Sequence, residues 1–247
     1  QSLITKIYDH WDTFFSENLA GEYPRDFAMQ VATQDGFFSR EIAESAKGES
    51  VQDIKEYFHF YPWGRCPSSL RQELQAYFEL ASALASELLD WIQQHTPDDI
   101  SRGYSESLSD MIVDSRETLL RVLHYPHLTG DEPTGALRAA AHEDINLITI
   151  LPSSNQSGLQ VKGADGRWID VPEGDDKLVV NIGDMLQEVS GGYYPSTTHR
   201  VINPTVAANK PRMSLPLFLH PRPDVRLSER YTAASYLEER LRELGVK

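Results

Sequence analysis

Ala141-His142-Glu143-Asp144-Ile145-Asn146-Leu147-Ile148-Thr149-Ile150-Leu151 opens on ionisable residues and closes on an apolar, β-branched run. The closing run predicts a buried strand, because branched side chains pack well on a pleated surface. In extended chain, side chains two apart share a face. His142 and Asp144 therefore point one way and Glu143 the other. A carboxylate set directly before a buried strand is costly without a cation, and a divalent metal removes that cost.

A second imidazole stands downstream in Pro195-Ser196-Thr197-Thr198-His199-Arg200-Val201-Ile202, again ahead of an apolar run. Two histidines and one carboxylate on one face of a metal, with its other positions open, is the donor set of non-haem Fe(II) oxygen chemistry. Spacing alone also allows Asp144 to cap a turn and His199 to be an ordinary surface residue. Metal binding by histidine should weaken on acidification through the usual imidazole range, near ~6.5.

Lys210-Pro211-Arg212-Met213-Ser214-Leu215-Pro216-Leu217-Phe218-Leu219 adds an anion-binding pair. Arg212 and Ser214 share one strand face. A guanidinium fork with a hydroxyl beside it suits a carboxylate. No acid nearby on that strand neutralises Arg212, so a carboxylate-bearing ligand is one candidate partner and an intrachain ion pair the other.

The rest of the chain sets the frame. Its 247 residues fit one large domain, and a hydrophobic content of 40% is that of a globular chain. A net charge of -14 and a sequence pI near 4.9 argue against nucleic acid and against anionic membrane surfaces. Cys66 is the single cysteine, so an intrachain disulfide and a cysteine-rich zinc site are both excluded. No apolar run is long enough to span a bilayer. The start, Gln1-Ser2-Leu3-Ile4-Thr5-Lys6, lacks the basic-then-apolar pattern of a secretory signal and an initiator Met, and a longer parent sequence is expected. A cytoplasmic monomer is expected.

Residues 3–18 carry Leu3, Ile4, Ile7, Tyr8, Trp11, Phe14 and Phe15 at helical spacing, and Gly21 and Pro24 end the segment. A short helix is expected over 37–46. The aromatic run 57–66 reads as a loop or irregular strand that either lines a pocket or caps the core, and His59 within it as a core or surface residue. Ser68 and Ser69 are N-cap candidates for a long helix to about His95, which Pro97 stops. A shorter helical piece is expected near 104–112. From residue 118 the pattern changes to short apolar runs at 118–125, 139–151, 158–162, 167–171, 177–183, 197–202 and 212–220, as in a sandwich or barrel. Gly163-Ala164-Asp165-Gly166 reads as a hairpin turn. A closing helix is expected over 228–244, with Gly245 as its C-cap.

Taken in order, these motifs resemble the Fe(II)- and 2-oxoglutarate-dependent dioxygenases, in their isopenicillin N synthase-like branch. The resemblance rests on His142-x-Asp144, His199 and Arg212-x-Ser214. Supporting segments are Gly158-Leu159-Gln160-Val161, Trp168, Leu178 to Asp184 and Gly192 to Val201. It implies a mainly β protein with flanking α, built on a double-stranded β-helix (jelly-roll) core. Residues 1–117 would be a helical support, 118–222 the jelly roll and 223–247 a C-terminal helix, all in one oxygenase domain. It implies Fe(II) on His142, Asp144 and His199, and 2-oxoglutarate on Arg212 and Ser214, with Tyr125 reaching the co-substrate or substrate. The family tyrosine sits in an Asn-x-Tyr-Pro motif, whereas Leu123 stands here in place of Asn. The implied reaction hydroxylates or desaturates a small molecule with O2, releasing succinate and CO2. Two alternatives stay open: an oxidase of the same branch that holds its substrate's carboxylate at Arg212 and Ser214 and uses no 2-oxoglutarate, and a non-catalytic jelly roll that binds metal or carboxylate.

Overall fold

The computed structural model describes residues 2–17, 26–42, 51–174 and 177–243. Gly21, Pro24, the part of 37–46 beyond residue 42, and Gly245 lie outside the described residues. Five helices are described: α1 (Leu3–Glu17), α2 (Ser68–Gln94), α3 (Asp98–Ser101), α4 (Asp184–Val189) and α5 (Ala233–Glu243). The strands are β1 (Gly36–Phe38), β2 (Glu56–Phe60), β3 (Leu119–Tyr125), β4 (Ala139–His142), β5 (Ile148–Pro152), β6 (Leu159–Lys162), β7 (Trp168–Asp170), β8 (Leu178–Ile182), β9 (His199–Val201), β10 (Arg212–Ser214) and β11 (Leu217–Leu219).

They form two antiparallel sheets. The larger runs β1-β2-β3-β11-β5-β8 with β10 also paired to β3, and the smaller runs β4-β9-β6-β7. Side-chain alternation divides the interior into two layers. Phe58, Phe60, Leu120, Val122, Met213 and Leu217 pack with the apolar stripe of α1 (Ile7, Trp11, Phe14) and α2 (Leu74, Ala81, Leu89). Their strand neighbours Tyr57, Leu123 and Tyr125 turn the other way and pack with Ala139, Leu159 and Val201 of the smaller sheet. This two-layer arrangement is the jelly roll expected, mostly β with flanking helices.

Several local expectations are corrected. The 139–151 run is two strands in different sheets, because the carbonyls of Asp144, Ile145 and Asn146 accept the first N–H groups of α4 instead of a strand partner. Residues 36–38 are a strand, since Phe37 and Phe38 pair with Phe58 and Tyr57. The aromatic run contains a regular, buried strand over Glu56–Phe60. The long helix follows Pro67 directly, with no side-chain cap from Ser68 or Ser69. Near 104–112 only a 3-10 turn, Asp110–Ile112, forms. The last helix begins at Ala233, behind a reciprocal cap in which the Thr232 hydroxyl accepts from Ser235 N–H. The hairpin at 163–166 is present, closed by Gly163 N–H to Arg167 O, and Gly166 has φ +79°. No described helix is long and apolar enough to cross a membrane.

Candidate metal centre and anion subsite

The fold brings the three expected donors together. His142 ends β4 and His199 begins β9, and the two are directly opposite in the ladder. Asp144 lies two residues on, where the chain crosses to the larger sheet. The imidazole centroids are 4.3 Å apart, and His199 Nε2 is 3.7 Å from Asp144 Oδ1. One donor atom from each of the three lies within 4.8 Å of the others.

Hydrogen bonds orient every donor. His142 Nδ1–H donates to Ala140 O at 2.7 Å and His199 Nδ1–H to Thr197 O at 2.9 Å, which leaves both Nε2 lone pairs for a metal. Asp144 Oδ2 accepts the Thr149 hydroxyl at 2.6 Å, and the Thr149 oxygen accepts Asn146 Nδ2 at 2.8 Å. Asn146 is packed under Gly183, where a Cβ would lie 2.2 Å from Asn146 O.

Charge states match. Burial pushes the Asp144 carboxyl up, but His199, His142, the Thr149 bond and Arg121 outweigh it and hold it below the ordinary carboxylate range. Burial, with His199 beside it, pushes His142 down to about 4. At neutral pH the site therefore offers a carboxylate and a neutral His142, the forms a cation binds. Burial of His142 thus lowers the pH at which this imidazole takes up a proton in the metal-free protein.

Arg212 and Ser214 face the space between the sheets, opposite Tyr125 and Leu123 of β3, while Met213 between them packs on the helices. Arg212 is 2% exposed and lies 5.3 Å from the Tyr125 ring centroid. Its Nε donates to Gln156 O at 3.1 Å, and its Nη1 has no hydrogen-bond partner among the described residues. No ion pair to Arg212 forms among the described residues, so the intrachain alternative is not realised. Sequence reasoning missed Arg138, a second buried guanidinium, pushed down to about 10 by burial and by the charge of Arg212. Two buried cations without an acid partner among the described residues form an unneutralised site that suits an anion.

A cavity of about 740 Å³ is lined by His142 and Asp144 together with His59, Trp63, Arg121 and Phe218. That is the size of small-molecule pockets. Tyr61 and Trp63 of the aromatic run line it, as does Phe218; Tyr57 instead packs between the sheets, and Tyr125 stays beside Arg212. His59 is buried, the first of the two placements left open, and accepts a hydrogen bond from Arg121 Nε at 2.8 Å. Arg121 was missed, although the signal used for Arg212, a guanidinium inside an apolar strand, applies equally to it.

The 2OG-Fe(II) oxygenase superfamily model matches residues 116–221. A crystal structure of an oxygenase from Shewanella oneidensis is 57% identical, with a TM-score of 0.86, over 99% of this chain and 86% of that one. A full-length protein of Neurospora crassa, solved in complex with alpha-KG, is 25% identical, with a TM-score of 0.75, over 97% of this chain and 82% of that one. Jasmonate-induced oxygenase 4 of Arabidopsis thaliana is 30% identical over 239 residues, 91% of this chain and 63% of that protein. Several further relatives carry the name 2-oxoglutarate-dependent dioxygenase. The chain spans between 42% and 64% of the length of the curated relatives it matches.

Proposed function

From the premise that the chain belongs to the 2OG-Fe(II) oxygenase superfamily, we propose that it is a dioxygenase that uses Fe(II) and 2-oxoglutarate to oxidise a small molecule with O2. His142, Asp144 and His199 would hold the iron. Arg212 and Ser214 would hold the distal carboxylate of 2-oxoglutarate, with Tyr125 alongside and Arg138 adding positive charge. The bound iron and co-substrate supply the oxidising power, with release of succinate and CO2, for hydroxylation or desaturation.

The chain's own part is binding, orientation and exclusion of water. The backbone carbonyls at Ala140 and Thr197 fix both imidazoles in one tautomer. Thr149 fixes the carboxylate. Burial of Arg212 makes its charge count for more than it would in water. The single observation that carries the proposal is the orphaned Nη1 of this buried arginine, set in the same barrel as the three oriented donors. Relatives named for 2-oxoglutarate favour this co-substrate over the oxidase that takes all its electrons from its substrate.

The test is Fe(II)-dependent conversion of 2-oxoglutarate to succinate by the purified protein. Asp144→Ala should abolish both turnover and metal binding while the far-UV spectrum stays native. Turnover at the wild-type rate in that variant would remove Asp144 from the site.

A further inference from the structure

Both side chains of the anion subsite, Arg212 and Ser214, come from β10. That strand is three residues long and pairs with β3 on one edge. In an antiparallel ladder, alternate residues turn their N–H and C=O away from the partner strand. Met213, between the two binding residues, is turned in this way, and its buried backbone groups need partners on the other edge.

The loop from Ser153 to Gly158, between β5 and β6, takes the place of a strand there. Asn155 Oδ1 accepts Met213 N–H at 2.8 Å, and the Ser154 hydroxyl donates to Met213 O at 2.5 Å. One residue further on, Gln156 O accepts Arg212 Nε at 3.1 Å. The loop is itself tied down at both ends. Ser153 N–H donates to Lys177 O at 3.0 Å, and Gly158 O accepts Ile202 N–H at 2.9 Å. From the helical layer, the Tyr8 hydroxyl of α1 donates to Ser153 O at 3.2 Å.

Every group that this loop offers to β10 is neutral. The contacts fix the guanidinium without cancelling its charge, and Arg212 Nη1 keeps no protein partner among the described residues. The charge of Glu173 reaches Arg212, but Glu173 is exposed and no ion pair joins the two.

We propose that Ser154 and Asn155 are positioning residues for the carboxylate subsite. They act on the Met213 backbone rather than on the ligand, and so hold Arg212 and Ser214 where guanidinium and hydroxyl meet one carboxylate. The identity of that carboxylate rests on the dioxygenase reading; the positioning rests on the strand edge.

The test compares Ser154→Ala, Asn155→Ala and the double variant with Ser154→Thr, which keeps the hydroxyl. Asn155 is exposed, so its substitution is the one least able to disturb folding. Each protein is loaded with Fe(II) in the absence of oxygen, and binding of 2-oxoglutarate and of glutarate is read by calorimetry. Glutarate has the same distal carboxylate but no keto group to chelate the metal. Each alanine variant should bind 2-oxoglutarate about tenfold more weakly, the worth of one hydrogen bond, and Ser154→Thr should recover most of that loss. Fe(II) affinity should stay near wild type, because the metal donors stand on other elements. A double variant that binds 2-oxoglutarate like wild type would overturn the proposal. So would an equal loss of Fe(II) affinity, the mark of a barrel loosened as a whole. Wild-type protein that binds glutarate but not 2-oxoglutarate would end the dioxygenase reading, and glutarate would then report on the loop in the variants. Wild-type protein that binds neither would end both.

Discussion

Thr149 separates an oriented metal site from a chance meeting of imidazoles and an acid. Its hydroxyl has no evident reason to be buried other than the bond to Asp144 Oδ2 and the bond received from Asn146. Thr149→Val keeps the shape and removes the bond. Metal affinity should drop about 10- to 100-fold, the usual effect of losing a ligand's orienting partner. Affinity within twofold of wild type would mean that Asp144 needs no such support. At this scale the sequence was legible where chemistry is concentrated in short spacings: His142-x-Asp144, His199 and Arg212-x-Ser214. It was opaque where a residue works across the ladder. Thr149 and Arg138 have no local neighbours that mark them, and their roles arise only when β5 and the lead-in to β4 are brought against other segments; Arg121, set in an apolar strand like Arg212, was legible and passed over.

The crossing between β4 and β5 shows how element boundaries follow from hydrogen bonding rather than hydropathy. The 139–151 stretch reads as one run in sequence, yet the carbonyls at 144–146 serve the first turn of α4. This break turns Asp144 back toward His142 and His199. Gly183 makes the contact possible, because a Cβ there would lie 2.2 Å from Asn146 O and 2.3 Å from Asn146 Oδ1. Its φ of -102° is open to any residue, so the requirement is purely one of space. Gly183→Ala should destabilise the fold by about 1–3 kcal/mol, as overpacking does. It should also weaken metal binding by displacing the Asn146–Thr149–Asp144 chain. An unchanged denaturation midpoint would show that the loop yields freely. The helices α1 and α2 were legible for the opposite reason: their apolar stripes are local, repeated and long. The 36–38 strand was not, because its partner lies in the aromatic run around residue 57.

Across the whole molecule, buried neutral histidines tie stability to pH. Burial pushes His220 down to about 4, and burial with Arg121 beside it holds His59 well below the ordinary value. Both folded values lie below the unfolded one near ~6.5. The unfolded chain therefore takes up protons that the folded chain refuses, and stability, intact above that window, falls as pH drops through it. The slope is at most about 1.4 kcal/mol per pH unit for each histidine. The urea midpoint of metal-free protein should be lower at pH 5 than at pH 7, and a flat or rising midpoint would contradict it.

On the proposed reading, Arg212 holds the co-substrate while the cavity lined by His142 and Asp144 takes the substrate. The most direct test of that arrangement is an anaerobic titration of the metal-free protein, first with Fe(II) and then with 2-oxoglutarate, followed by visible absorption. A charge-transfer band that appears only when both are present, and that needs far more 2-oxoglutarate in Arg212→Met, is the predicted result. Iron that binds without any band on adding 2-oxoglutarate, or a band indifferent to Arg212, would contradict it.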